Sequence, residues 1–245
     1  MSEYSSLAPL YDRLTADVDY QSFLDFYHEL FQESSITIRS VVDLACGTGT
    51  LTGLMAKNGY DMTGTDASTE MLSVARDKHG DDGILFLNQQ MEELDLYGTV
   101  DAAICSLDGM NYAVPENLDE IFRRIFLFLE PEGMFVFDIN SPKCLMELDG
   151  EMFVDEDDSV YCVWRAEFDS SEMCCFYGMD IFEKQGHMWQ RYAEEHVEYA
   201  HTPDELCGKL SGAGFTDIRV YGDRTLNPPE PDEKRIFISA KKPKI

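Results

Sequence analysis

Cations are scarce in this chain. Its 245 residues carry 19 Lys and Arg against 47 Asp and Glu, a formal net charge of -28 at neutral pH. Nucleic-acid binding relies on Lys and Arg neutralising phosphates, so the balance argues against nucleic acid as a partner. The plain reading of the charge is a solvated acidic surface, and the alternative is steering of a cationic substrate such as an amine. No apolar run reaches 18 residues, and residues 1–20 carry acids and tyrosines in place of a basic, apolar leader. The expectation is therefore a soluble, cytoplasmic protein without a membrane partner. Paired C-x-x-C spacing is also missing. Seven cysteines (Cys46, Cys105, Cys144, Cys162, Cys174, Cys175 and Cys207) are odd in number, which points to reduced thiols, mostly in the core, and away from a zinc site.

What the chain has is a 44% apolar, 12% aromatic composition, enough for one sizeable α/β core. It also has residues 41 to 53, Val-Val-Asp-Leu-Ala-Cys-Gly-Thr-Gly-Thr-Leu-Thr-Gly. Here an apolar strand runs into a glycine turn and an amphipathic helix, leaving backbone N–H groups to hold an anionic part of a ligand. Asp66 follows Gly49 by 17 residues and ends the next apolar run. A doubly wound sheet places a carboxylate about there to accept hydrogen bonds from ribose hydroxyls. The two together describe a nucleoside-cofactor site. The dinucleotide fingerprint G-x-G-x-x-G fits neither register, because Ala45 and Thr50, or Thr52, stand where glycines belong. That disfavours an NAD-dependent oxidoreductase.

The segment Asp43-Leu-Ala45-Cys-Gly47-Thr-Gly49 resembles motif I of the class I S-adenosylmethionine-dependent methyltransferases, acidic-x-Gly-x-Gly-x-Gly, with Ala45 in place of the first glycine. The resemblance implies that Gly47 and Gly49 line the methionyl part of S-adenosyl-L-methionine, with Asp43 behind them and Asp66 on the ribose. After the third strand, Gln90 takes the place of the family's adenine-binding acid, and its amide oxygen can accept the same hydrogen bond. Met91 would then offer its backbone N–H to the ring. A polar loop leading to a helix explains Gln89 and Gln90 equally well. Tyr4 to Asp12, Tyr-x-x-x-Ala-x-x-Tyr-Asp, is similar to the lid helix of small-molecule methyltransferases, which implies that its tyrosines, Tyr11 among them, reach the site; an amphipathic helix packed on the sheet with Tyr11 in the core is the alternative. The implied cofactor-binding set is Tyr11, Asp43, Ala45, Cys46, Gly47, Gly49, Asp66, Ala67, Gln90, Met91 and Ser106.

Periodicity gives the order of elements. Apolar residues at helical spacing, Tyr4 to Tyr11 and Phe23 to Phe31, predict two helices before the first strand, Val41–Ala45. Further strands are expected at Met62–Thr65, Ile84–Leu87, Val100–Cys105 and Met134–Ile139, with helices between them. Ser68 caps one helix, and the stripe Leu118 to Leu129, closed by Pro131-Glu-Gly133, forms another. Long β-prone runs at Val160–Phe168, Met173–Phe182 and His187–Tyr199 predict an antiparallel meander. A capping box at Thr202-Pro203-Asp204-Glu205 restarts helix before two final strands, near Ile218–Tyr221 and at Arg235–Ala240. The predicted fold is α/β: a doubly wound, mostly parallel seven-stranded sheet with helices on both faces, Rossmann-like, plus the meander inserted after strand five. We expect one domain over 1–245, with lid helices in 1–35 and an inserted β lid over about 145–200 covering the substrate site.

The expected activity is SN2 transfer of the cofactor's methyl group to an N or O of a small molecule. A sulfonium methyl is already activated, so the protein need only align a nucleophile, exclude water and remove a proton. Asp108, after the fourth strand, is the first candidate for orienting or deprotonating the acceptor, followed by Tyr11 and His196. Strand periodicity puts His196 on the face of Gln190, Tyr192 and Glu194 without saying which face meets the cleft. Taken alone, His187, His196 and His201 read as solvated side chains. Asp138 and Asn140 resemble metal ligands of catechol-type methyltransferases, yet a metal-free reaction is expected. The Asn-Pro-Pro-aromatic sequence of DNA-base methyltransferases does not follow the fourth strand, and Asn227-Pro-Pro-Glu230 is a loop. A non-catalytic module that binds S-adenosylmethionine is the rival reading.

Overall fold

The computed structural model describes residues 7–156 and 158–244. Tyr4, expected in the first helix, lies outside them, and residues 7–10 form a turn, so the helix expected to end at Tyr11 begins there instead. The short helix α1 (Tyr11–Leu14) is followed by α2 (Tyr20–Gln32), whose cap Asp19 accepts from the Ser22 N–H at 3.2 Å. The α2 stripe Phe23, Leu24, Phe26, Tyr27, Leu30 and Phe31 is buried. Then β1 (Ser40–Leu44), α3 (Thr50–Lys57), β2 (Asp61–Asp66), α4 (Thr69–His79), β3 (Leu85–Asn88), β4 (Val100–Cys105), α5 (Leu118–Phe128) and β5 (Leu129–Asn140) alternate along the chain. They are followed by α6 (Pro142–Glu147), β6 (Met152–Glu156), β7 (Val160–Asp169), β8 (Cys174–Gln185), β9 (Met188–Tyr199), α7 (Pro203–Gly212), β10 (Thr216–Tyr221) and β11 (Arg235–Lys241).

Seven strands form one sheet in the order β10-β11-β5-β4-β1-β2-β3, in which β11 runs antiparallel to both of its neighbours. Its central strands read as continuous apolar runs because both faces are covered. Val42, Ala103, Cys105, Phe135 and Phe137 join one core with α5 and α7, while Val41, Ala102, Ile104, Met134 and Val136 join the other with α2 and α3. Strands β6 to β9 form a separate antiparallel sheet. Among the described residues no helix is long and apolar enough to cross a membrane. All seven cysteines are free thiols.

Three local expectations change. Pro131-Glu-Gly133 does not lie between a helix and a strand, because β5 already starts at Leu129 and absorbs the tripeptide where its register with β4 shifts. Glu132 takes a left-handed φ of 66° at that irregularity. The insert has four strands instead of three. In the added strand β6 all five residues are exposed, so it carries no alternation to read. Helix α6 is new as well: Ser141 Oγ accepts from the Cys144 N–H at 3.2 Å and Pro142 begins the helix.

Candidate active site

The site grows out of the turn after β1. Three of its five residues from Ala45 to Gly49 take left-handed φ angles: 52° at Ala45, 55° at Gly47 and 72° at Gly49. Ala45 holds a conformation that costs a non-glycine residue about 1 kcal/mol, which explains why the family pattern prefers glycine there. The turn is tied to the next strand by two bonds. The Cys46 N–H donates to the Thr65 carbonyl at 2.9 Å, and the Gly47 N–H donates to Asp66 Oδ2 at 2.9 Å. Asp66 Oδ1 accepts from the Ser68 N–H at 2.8 Å. Asn88 Nδ2 donates to the carbonyls of Asp66 and Ala67, at 2.9 and 2.8 Å, and so fixes the acid's backbone. Burial raises the Asp66 carboxyl against the pull of its two backbone donors. A carboxylate offers about four lone-pair sites, so each oxygen keeps capacity for one further donor.

Turn and acid face the same space. A cavity of about 480 Å³ is lined by Asp43, Ala45, Cys46, Gly47, Asp66 and Ala67, and also by Gln90, Met91, Ser106 and Tyr11. Of the expected cofactor residues only Gly49 is missing from that wall. It starts α3 instead, and a side chain there would press on Phe86 at 3.1 Å. Gln89 and Gln90 both line the cavity, yet the Gln89 amide is engaged in bonding both the N–H and the carbonyl of Asp95. Sequence reasoning missed Tyr20, Thr48, Thr50, Leu107 and Tyr112, which also line the cavity. The two threonines stood in plain view within the glycine motif.

Asp108 does not line the cavity. Leu107 and Asp108 both take left-handed backbone angles, and their N–H groups donate to the two oxygens of Asp138, at 2.8 and 3.0 Å. The Asp108 carboxylate turns onto Arg235 Nη2, 2.8 Å away, while Arg235 Nη1 pairs with Asp138. Asp138 is wholly buried, with its oxygens committed to two backbone donors and one guanidinium, and Asn140 Nδ2 donates to Glu198. Among the described residues no group of three or more His, Cys, Asp or Glu could hold a metal.

His187 is exposed as expected, but His196 and His201 are each only 2% exposed and are not solvated. Glu194, His196 and Glu198 are the buried face of β9, so that is the face turned inward. His196 packs edge-on against Tyr112, with ring centroids 6.1 Å apart at 85°. It therefore meets the cavity through Tyr112. His201 Nε2 bonds the carbonyl of Ala113, another wall residue, at 2.9 Å.

A family model described as a methyltransferase domain matches residues 41–133. YqeM of Bacillus subtilis (strain 168), a protein named as a methyltransferase, is 31% identical over 245 residues, 98% of each chain. The chain belongs to the class I S-adenosylmethionine-dependent methyltransferases. The crystal structure of an S-adenosylmethionine-dependent methyltransferase from Clostridium acetobutylicum ATCC 824 is similar to this methyltransferase with a TM-score of 0.87 and 28% identity, over 98% and 99% of the two chains. The sugar N-methyltransferase KedS8 from Streptoalloteichus sp ATCC 53650 shares the fold at TM-score 0.80 and 19% identity, over 96% and 92%. The cofactor is S-adenosylmethionine, and the residues present fit it. A side-chain carbon at Gly47 would meet nothing within 4 Å, so the turn opens onto the cavity, and Asp66 has acceptor capacity for two ribose hydroxyls. The volume also lies within the roughly 300–1,000 Å³ of small-molecule sites.

Proposed function

We propose that the methyltransferase transfers the methyl group by in-line displacement to a nitrogen or oxygen of a small molecule. In this reading Asp66 holds the two ribose hydroxyls. Asp43, Ala45, Cys46, Gly47 and Ala67 surround the sugar and the methionyl chain, Gln90 and Met91 face the adenine, and Ser106 stands beside the sulfur. S-adenosylmethionine supplies a methyl group activated by a positively charged sulfur. The chain's own work is alignment and exclusion of water.

The observation that carries this reading is a shared wall, because Tyr11 of the N-terminal segment and Tyr112 after β4 line the same cavity as the cofactor turn. The cover in this proposal is residues 1–35 together with the insert, about 145–200. Leu7 and Leu10 pack with Val160, Cys162, Met179 and Ile181, which joins the two parts. Burial holds the Tyr11 phenol far above its ordinary range, so it stays protonated and orients the acceptor as a donor. Of the other two candidates, His196 acts through Tyr112, and Asp108, paired with Arg235 away from the cavity wall, supports the turn after β4 and does not touch the acceptor. KedS8, named as a sugar N-methyltransferase, carries the same fold, which agrees with a small acceptor.

Incubation with S-adenosylmethionine labelled in the methyl group, together with matched panels of small amines and hydroxyl compounds, tests the reading by mass spectrometry of the products. A nitrogen can attack before losing its proton whereas a hydroxyl needs a base in place, so the two panels are compared across pH. Label found only in protein, nucleic acid or carbon-methylated products would contradict a small N or O acceptor.

A further inference from the structure

Asp12 follows the cavity-lining Tyr11 in α1, and its carboxylate reaches two other pieces of the chain. Its Oδ1 accepts from the hydroxyls of Thr48 and Thr50, the latter at 3.0 Å, and its Oδ2 pairs with Lys78 of α4. Lys78 Nζ donates in turn to Thr50 Oγ1 at 2.8 Å and to Thr48 Oγ1 at 3.2 Å. Each threonine thus gives its proton to Asp12 and takes one from Lys78, which closes a four-residue ring at the glycine turn. Both threonines line the cofactor cavity.

The other side of this segment is fastened to the insert. The Leu7 N–H donates to Glu194 Oε1 at 2.7 Å, Arg13 Nη2 donates to Ser159 Oγ at 2.7 Å, and Leu7 and Leu10 are buried against β7 and β8. The two attachments differ in kind. Apolar burial on the insert side is not weakened by salt. The ring is ionic and partly exposed, with the Lys78 and Asp12 side chains 28% and 40% accessible, so salt screens it.

We propose that Asp12 is a positioning residue for the methyl donor: through Thr48, Thr50 and Lys78 it holds Tyr11 against the cofactor cavity, and opening of the ring sets how fast spent cofactor leaves. The inference rests on the reading above, in which the N-terminal segment is part of the cover. Cofactor exchange requires turn and cover to part, and one carboxylate bonded to both couples them. Release steps of this kind limit turnover in many enzymes.

Stopped-flow fluorescence of S-adenosylhomocysteine dissociation tests the proposal. Asp12→Ala and Lys78→Met should each raise the release rate about tenfold. The double variant should be no faster than the faster single one, because both substitutions break one ring. Raising salt from about 0.05 M to about 0.5 M should speed release from the wild type and leave Asp12→Ala unchanged, a response that general loosening of the structure would not produce. Arg13→Ala should keep the wild-type rate, since the apolar cluster still holds that side. Asp12→Asn, which keeps the shape of the side chain, repeats the test if Asp12→Ala fails to fold. Wild-type release rates and salt response in the Asp12 variants would overturn the proposal. Failure of the wild type to bind S-adenosylhomocysteine at all would instead overturn the placement of the cofactor.

Discussion

Thr52 Oγ1 donates to Asp43 Oδ2 at 2.6 Å, joining the end of β1 to the helix after the cofactor turn. Asp43 is pushed up to about 7, first by burial and also by the charge of Asp66, with the Thr52 bond opposing. Between the ordinary value of 3.8 and about 7 the folded protein keeps a proton that the unfolded chain has released. Stability from this group therefore falls as pH rises through that window and levels off above it. A cationic cofactor favours the ionised carboxylate, so its binding should expel a proton near pH 6, and affinity should rise from there toward pH 8. Calorimetry in two buffers of different ionisation enthalpy measures that proton. Asp43→Asn should abolish its release, and equal release from the variant would count against this account.

A second prediction concerns Gly64, which sits in β2 opposite Asp43 on one side and Phe86 on the other. A Cβ there would stand 2.8 Å from Phe86 Cδ1 and 2.9 Å from Cys46 Sγ. Gly64→Ala should cost about 1–3 kcal/mol in denaturant unfolding. Because Cys46 belongs to the cofactor turn, affinity should fall with it. Gly208 in α7 has nothing within 4 Å of such a carbon, and Gly208→Ala should stabilise by about 0.4–1 kcal/mol.

Arg235 is the cation between Asp108 and Asp138. Arg235→Met would leave both carboxylates without it, one of them fully buried, and should cost about 3–5 kcal/mol. Asp138 also holds the left-handed turn at Leu107 and Asp108, so that turn should loosen, as protection of those two amides from hydrogen exchange would reveal. A loss under about 1 kcal/mol would mean that the ion pair is solvated in solution.

The parts of the fold that were legible in the sequence are those governed by local rules. Ser68 and Thr202 cap their helices as expected, accepting from the N–H groups of Met71 and Glu205. The parallel strands betray themselves by apolar runs that serve two cores. What escaped notice lacks a period or depends on distant residues. Strand β6 is exposed throughout, and α6 spans six residues, too few to build a stripe. Asp108 pairs with a residue 127 positions away. For the site, every expected cofactor residue except Gly49 lines one cavity, because motif and fold fix the carboxyl ends of the strands together. The inward face of β9 could not be chosen from alternation alone, since its opposite face alternates equally well.

In this reading the turn after β1 and the acid ending β2 grip one cofactor. Titration calorimetry of S-adenosylhomocysteine into the wild type and into Asp66→Ala addresses it directly. One site per chain is expected, with a loss of about 1–3 kcal/mol in the variant, because the ribose hydroxyls and the Gly47 N–H lose their acceptor. Unchanged affinity in Asp66→Ala, or tight binding of NAD in place of S-adenosylhomocysteine, would contradict it.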